Sequence, residues 1–372
     1  MRKKILFVTH ALESLYGAAT SLRLLLENYT GIEAELMVPR SFRHPRDLAQ
    51  TASSFPSVRR VHEISMPVDL NVVGIGRSLA DKAHGVVHWM GWLRDRQRYQ
   101  RMLQDYDLVH FNSVVLHHML LPGTPAITHI REIITHVGSP VIQNLANGLG
   151  LIFIDSTTRQ PFAPYESRMN AITLNNPVDM RGTPRQTGGL RIPVRPTATV
   201  FSMIGQVHEI KGVDFVIDAF RRSASPGAVL LIVGDGPKHF MARCRALAGD
   251  DPRVVFWGEE ADIKSVYAVT DYVVRGDPQP CVGRTVYEGL YAGCRVILPG
   301  PGRPGLVFEA ERFGDSIFWY TPGDATALAG TFAACSNKKV ATREYLNNIG
   351  PYVQSFDGFM ASCLRRRSAL IR

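Results

Sequence analysis

Residues 281–293 read CVGRTVYEGLYAG: a glycine, a basic-polar pair and a carboxylate at the mouth of an apolar, helix-like run. If a helix begins near Arg284, its end amides and dipole make an anion site, and Gly283 lets a phosphate reach the backbone with no Cβ in the way. Glu288 follows Arg284 by four residues, so it shares that helix face, about 6 Å further along the axis at roughly 1.5 Å per residue. A ribose joined to the phosphate falls beside it, and a carboxylate accepts from both hydroxyls of a vicinal diol. The stretch has the geometry for a nucleoside diphosphate. Taken alone, it is equally an ordinary helix start whose glutamate is favoured by the dipole.

Around this stretch, short β-rich runs alternate with helix-like segments: KILFVT, ELMV, DLVHF, PAITHI and LIFI before residue 160, then ATVFSMIG, AVLLIVGDG, RVVFWG, YVV and RVIL. That alternation predicts parallel sheets with crossover helices. Residues 178–196, VDMRGTPRQTGGLRIPVRP, are rich in Gly, Pro and Arg and carry no periodicity, as a linker does. The expected division is a Rossmann-like domain over 1–180, a linker over 181–196 and a second Rossmann-like domain over 197–345. Residues 346–372 are read as a helical segment with the option of crossing back to the first domain. Both halves open with a strand and a glycine-bearing turn, so the fold class is α/β, two doubly wound domains facing a cleft.

At 372 residues with 45% hydrophobic content, the chain exceeds the size at which one core keeps growing. Lys and Arg outnumber Asp and Glu by 42 to 33, a formal charge of +9, which suits anionic ligands or an anionic membrane face without choosing between them. The five cysteines, Cys244, Cys281, Cys294, Cys335 and Cys363, are odd in number and show no C-x-x-C spacing, as in a reducing, cytoplasmic setting. The N-terminus imitates a signal peptide, but His10 and Glu13 interrupt its apolar stretch, and a buried strand from Ile5 to Thr9 explains it better. No later stretch has the roughly 18 apolar residues a membrane span requires, so a soluble or peripheral protein is expected.

In order, KG at 211–212, VGDGP at 233–237, VFWG at 255–258, DYVV at 271–274 and GRTVYEGLYAGCRVI at 283–297 resemble the donor-binding domain of GT-B glycosyltransferases. The likeness is to the retaining family 4, glycosyl transferases group 1, and covers 197–330. In the first half the match is looser: ILFVTHALESLYGAATSLRLLL resembles the family's first strand and glycine loop, YDLVHFNS its central strand, and LNNPVD its N-G-V-D turn with Pro177 replacing the glycine. The resemblance implies that Lys211 neutralises the donor diphosphate, that Gly283, Arg284 and Thr285 present amides to it, and that Glu288 binds the ribose. It implies that Trp257 to Glu259 border the base and that Gly17 lies in the loop approaching the sugar phosphate. The family's catalytic histidine stands at a strand end, here PAITHIREI. His129 and Arg131, two apart and so on one face of a strand, both remain candidates for it. His117 and His118 read as a helix surface.

Two departures stand out. Gln206 occupies a position where the family usually has Arg, so one diphosphate charge is missing unless His208, Arg284 or Arg275 substitutes. Pro280 stands where the family places an acidic residue beside the sugar. Proline has neither a side-chain acceptor nor an N–H, and the favoured reading brings the Gln279 amide to the sugar hydroxyls, with Asp277 the nearest carboxylate. What the resemblance implies is retaining, metal-independent transfer from a nucleoside-diphosphate sugar to a glycan or lipid-linked acceptor, in surface polysaccharide or glycoconjugate assembly. Helix amides and Lys211 stabilise the leaving diphosphate, and no cofactor is expected. The rivals are a nucleotide-sugar-binding subunit without turnover and a sugar-nucleotide epimerase.

Other chemistries fit less well. DYD at 105–107 precedes the strand LVHF, where a metal-binding D-x-D follows one, so it reads as a turn. No H-x-x-x-H pair or cysteine cluster suggests zinc, and no metal site is expected. No G-x-S-x-G or G-x-x-x-x-G-K-[ST] occurs, and VGDGP lacks the rest of a dinucleotide fingerprint. Residues 88–103, HWMGWLRDRQRYQRML, interleave Arg94, Arg96, Arg98 and Arg101 with Trp89, Trp92 and Tyr99. This suits an anionic membrane interface rather than nucleic acid, against the alternative of a solvated helix with its tryptophans in the core.

Overall fold

The apolar runs form two parallel sheets, one in each half of the chain. The computed structural model describes residues 2–12, 17–41, 47–73, 79–134, 138–182, 197–223, 226–278, 283–300, 312–340 and 343–371. It comprises two compact units, Met1–Pro177 with Asn348–Arg372, and Val178–Asn347.

The first unit holds β1 (Lys3–Val8), β2 (Ile32–Pro39), β3 (Val58–Ile64), β4 (Leu108–Phe111), β5 (Ala126–Ile130), β6 (Gly150–Phe153) and β7 (Ala171–Thr173). Their order is β3-β2-β1-β4-β5-β6-β7, and the pairings are parallel. The helices between them are α1 (Gly17–Asn28), α2 (Leu48–Ser53), α3 (Leu79–Gln104), α4 (Ser139–Leu145) and α5 (Ser156–Arg159). Both sheet faces are covered, which is why the strands read as continuous apolar runs. Leu6, Val109, Ile130 and Phe153 face the layer containing α3, while Ile5, Phe7, Leu108, Ile127 and Ile152 face the layer containing α1. That alternation is the period of two of an extended chain.

The second unit holds β8 (Thr199–Ile204), β9 (Ala228–Val233), β10 (Val254–Gly258), β11 (Tyr272–Val274), β12 (Arg295–Pro299) and β13 (Ile317–Tyr320), in the order β10-β9-β8-β11-β12-β13. Its helices are α6 (Val213–Ser223), α7 (Lys238–Ala248), α8 (Ile263–Val269), α9 (Arg284–Tyr291) and α10 (Ala325–Cys335). In each unit the strand order reverses beside the first strand, between β1 and β4 and between β8 and β11. Open α/β sheets bind ligands at the carboxyl ends of the strands flanking such a reversal.

The division falls at Pro177 and Asn347. An isolated antiparallel bridge, Asp179 to Asn347, and the buried Val178 and Met180 hold the start of the linker onto the second unit. Residues 183–196 lie outside the described residues. The last helix, α11 (Ile349–Ile371), belongs to the first unit. Tyr352, Phe356, Met360 and Cys363 make one buried stripe at helical spacing, which packs in the same cluster as Leu22, Leu25 and Leu26 of α1. Asp357 on the same helix accepts from Lys3 Nζ at 3.0 Å and from the Tyr29 hydroxyl at 2.5 Å.

Candidate active site

At the reversal point of the second sheet, α9 begins at the N-cap Gly283, which supplies no side-chain cap. A Cβ at Gly283 would sit 2.2 Å from Arg275 Nη1, so only glycine leaves room for that guanidinium under the helix start. Arg275, just past β11, grips the buried Asp277 through two bonds, Nε to Oδ2 at 2.6 Å and Nη2 to Oδ1 at 2.8 Å, and donates to Thr285 Oγ1 at 3.1 Å. Its carbonyl accepts from the Tyr320 hydroxyl at 2.8 Å. Lys211 Nζ, one-third exposed, lies 3.6 Å from Asp277 Oδ1. The loop carrying it packs backbone on backbone. Gly212 takes a left-handed conformation (φ 61°), and a Cβ there would meet the Gly276 carbonyl oxygen at 2.0 Å.

Lys211, Asp277, Arg275 and Thr285 thus form a continuous chain of contacts. It holds two cations, one buried carboxylate and the positive end of a helix, an excess of positive charge that suits an anion. Gln206 is exposed just beyond β8. Of the residues that could make up the charge it lacks, Arg284 is paired with Glu288, and Arg275 with Asp277. Sequence reasoning named Arg275 and Asp277 separately and did not foresee their pairing.

Glu288 is buried. Its Oε1 accepts from Arg284 Nε at 2.6 Å and its Oε2 from the Tyr267 hydroxyl at 2.9 Å. Burial first, and then the Glu288 charge, drive the Tyr267 phenol well above its usual range, so it stays a protonated donor. Each carboxylate oxygen still has a lone pair for a further donor. Trp257, partly buried on β10, donates from Nε1 to Glu260 Oε2 at 3.4 Å. Gln279 and Pro280 lie outside the described residues.

In the first unit Gly17 opens α1, and Asn112 pins that helix start by donating from Nδ2 to the Ala18 carbonyl at 3.1 Å. The expectation of a strand-end histidine open to a cleft is not met. Strand β5 runs on to Ile130, and His129 is wholly buried within it, 3.4 Å from the His110 ring. Burial, then the Arg131 charge, push His110 down to about 3 and His129 well below the usual histidine range. Arg131 lies one residue past the strand and is also buried. It donates to Asn112 Oδ1 (2.8 Å), Asn176 Oδ1 (2.7 Å) and His129 Nδ1 (3.2 Å). Glu132, which sequence reasoning missed, accepts from the Ser113 hydroxyl at 2.5 Å and from the amides of Arg131 (3.2 Å) and Val114 (3.3 Å). Burial nevertheless raises its pKa.

Three further readings need correcting or refining. His117 is buried rather than on a helix surface, and the chain does hold an H-x-x-x-H pair, His84 and His88, whose Nε2 atoms are 3.1 Å apart. Trp92 of α3 is buried and stacks on Tyr99, so it faces the core. Among the described residues, the large apolar side chains exposed on α3 are Val86, Val87, Met90 and Leu93, and Arg94 is engaged by Asp95 at 2.8 Å. The D-Y-D at 105–107 is a turn before β4, with Asp107 Oδ2 accepting from the Lys4 amide at 2.8 Å.

Residues 198–338 match the family model of Glycosyl transferases group 1. They form a group 1 glycosyl transferase domain. The domain takes in all six strands of the second sheet, and with them Lys211, Arg275, Asp277 and Glu288. A glycogen synthase of Paracidovorax citrulli (strain AAC00-1) is 28% identical over 116 residues, which is 30% of this chain and 23% of that relative; the chain spans about a quarter of the curated relative it matches. Among solved structures, Anabaena HepE in complex with UDP-glucose superposes with a TM-score of 0.69 at 18% identity, covering 97% of this chain and 100% of that one. Sucrose-phosphate synthase of Thermosynechococcus elongatus gives 0.69 at 13% identity, over 100% and 99% of the two chains. The lipopolysaccharide outer core galactosyltransferase WaaB gives 0.63 at 15% identity, over 96% and 99%. At these identities the likeness establishes the fold, the two-domain α/β architecture named GT-B.

Proposed function

We propose that this protein is a retaining glycosyltransferase that moves a sugar from a nucleoside-diphosphate sugar to a glycan or lipid-linked acceptor, with no metal in the chemistry. The observation that carries this reading is the contact chain from Lys211 through Asp277 and Arg275 to Thr285 at the start of α9, with Glu288 one helical turn beyond. The diphosphate seats at the helix start. As the bond from sugar to phosphate breaks, charge develops on the leaving oxygen and is met by the end amides of α9 and by Lys211 Nζ. Arg284 then has two anions within reach. Turning from Glu288 to the diphosphate, it frees Oε1 for the ribose hydroxyls, while Tyr267 holds the carboxylate through Oε2. The acceptor hydroxyl attacks from the face that the diphosphate leaves.

The first unit takes the acceptor. A lipid-linked acceptor is supported by α3, whose exposed Val86, Met90 and Leu93 recur at i, i+4 and i+7 and continue along the helix into Arg94, Arg98 and Arg101. Among the described residues no helix is long and apolar enough to cross a membrane, so contact of this kind is peripheral.

The test is to incubate the protein with UDP-, GDP- and ADP-sugars, without added Mg²⁺ or Mn²⁺, and to follow release of the nucleoside diphosphate. Acceptor-dependent release with retained anomeric configuration is expected, with UDP-glucose the first donor to try because the similar HepE structure is a complex with it. Conversion of the free sugar nucleotide without acceptor would make the protein an epimerase. Binding with no turnover would make it a non-catalytic subunit.

A further inference from the structure

Outside the proposed transfer chemistry, the first unit gathers Asp69, His117 and His118, one ligand atom from each, all within 4.8 Å of one another. Asp69 follows β3, and its amide donates to the Val115 carbonyl at 2.9 Å, tying that loop to the 3₁₀ turn Val114–Met119 that carries both histidines. Asp69 Oδ2 lies 3.4 Å from His117 Nε2 and 3.4 Å from His118 Nε2. An ion held at about 2.0–2.1 Å by tetrahedral ligands has ligand-to-ligand edges of about 3.3–3.4 Å, so these two edges already have the spacing that zinc requires. The third edge, between the ligand atoms of the two rings, is no longer than 4.8 Å, and a small turn of the more exposed His118 closes it.

We infer that Asp69, His117 and His118 form a zinc site that clamps the loop after β3 to the 3₁₀ turn after β4. Two imidazoles and one carboxylate suit a first-row divalent ion, whereas Mg²⁺ and Ca²⁺ take all-oxygen shells. The surroundings supply the usual support for such ligands. Asn144 of α4 places its side-chain amide 2.9 Å from His117 Nδ1. The two ends of an amide group exchange by a half-turn, and with its oxygen toward the ring Asn144 accepts from Nδ1–H, leaving Nε2 free for the metal. Asp69 Oδ1 accepts from the Asn71 amide at 3.1 Å, which leaves Oδ2 aimed at the histidines. The His118 ring is held edge-on against Trp89, with centroids 4.6 Å apart. His118 and Asp69 are partly exposed, which gives an ion a way in and leaves the fourth position to water.

The test uses the full chain stripped with a chelator and titrated calorimetrically with Zn²⁺. Wild type should bind one equivalent, and its Tm should rise with free Zn²⁺ but not with Mg²⁺ or Ca²⁺. Co²⁺ in place of zinc should give the visible bands of a tetrahedral site. His118→Gln, at the more exposed of the two histidines, and Asp69→Asn should abolish tight binding. Asn144→Ala should weaken it about 10- to 100-fold as a positioning residue. His84→Ala, in the separate H-x-x-x-H pair, should leave it unchanged. Absence of stoichiometric binding by wild type, equal binding by His118→Gln, or loss with His84→Ala instead would overturn the assignment. If Asp69→Asn fails to fold, His118→Gln and the Co²⁺ spectrum decide.

Discussion

Replacing Glu288 with glutamine tests the core of the proposed donor site. The change keeps the volume and one carbonyl acceptor, so Tyr267 keeps its bond, but it removes the charge and sets an amide against Arg284 Nε, where the present distance is 2.6 Å. The two paired side chains are only 10% and 11% exposed, so solvent screens the pair little. Losing a hydrogen bond to a charged group costs about 1.5–3 kcal/mol, and the lower end is expected for stability because Arg284 can turn outward. A ribose hydroxyl that donates to the carboxylate loses a similar amount per bond, which corresponds to a Kd about 10- to 150-fold weaker. Calorimetric titration of wild type, Glu288→Gln and Arg284→Ala with UDP should show this loss for Glu288→Gln. Titration with 2′-deoxy-UDP should shrink the gap between wild type and Glu288→Gln, because one donor to the carboxylate is gone. If Glu288→Gln binds UDP as wild type does, while its Tm falls as far as that of Arg284→Ala, the glutamate serves only to hold Arg284 and the ribose assignment is refuted.

Lys211→Ala should leave the Tm nearly unchanged, since Lys211 is one-third exposed, yet abolish most turnover; Asp277→Asn should destabilise the fold by about 3–5 kcal/mol and lower the Tm sharply because it strands buried Arg275, and equal effects of both on turnover and Tm would defeat the proposed division of roles. His110 and His129 are depressed in the folded state relative to 6.5, so below pH 6.5 the unfolded chain binds protons that the folded chain does not, and stability falls by about 1.4 kcal/mol per histidine per pH unit until the folded values are reached. Denaturation curves between pH 7 and 5 should show this loss in wild type and a shallower one in His129→Asn, with His10, His88, His117 and His118, also depressed by burial, contributing to the remainder, and equal slopes would contradict the buried pair. On α3, each arginine near an anionic bilayer contributes about 1 kcal/mol, so Arg94, Arg98 and Arg101→Gln should abolish salt-sensitive sedimentation with anionic vesicles, while Met90 and Leu93→Ser should remove the salt-resistant remainder. Wild type left in the supernatant at low salt would show that α3 meets no membrane.

The architecture was legible because its signals are local. Alternating apolar runs mark parallel strands wherever both faces are covered, and GRTVYE announces a helix start within six residues. The partners of that motif were not local. Tyr267 reaches Glu288 across 21 residues, and Arg275 with Asp277 folds under Gly283 from a different loop. His129 misled because period-two reasoning gives the face a strand residue occupies but not whether the strand continues past it. The tryptophans of α3 misled for a related reason: a helix with weak amphipathic contrast does not declare which face is buried, and Trp92 with Tyr99 stacked inward. Asp69 and His117 are 48 residues apart, so no spacing rule could have joined them.

The position of α11 has a consequence for how this chain comes off the ribosome. The first unit is interrupted by the 170 residues from Val178 to Asn347 before its last helix is made. At about 5–20 residues per second, that is about 10–30 s during which Leu22, Leu25, Leu26 and Phe7 have no Phe356 or Met360 to pack against. The group 1 domain, contiguous in sequence, can fold in that interval; the first unit must wait with an apolar face uncovered. A chain cut short after the group 1 domain would therefore keep the proposed donor residues and still present a sticky, incomplete partner, a natural client for chaperones and a source of aggregation rather than of half-activity.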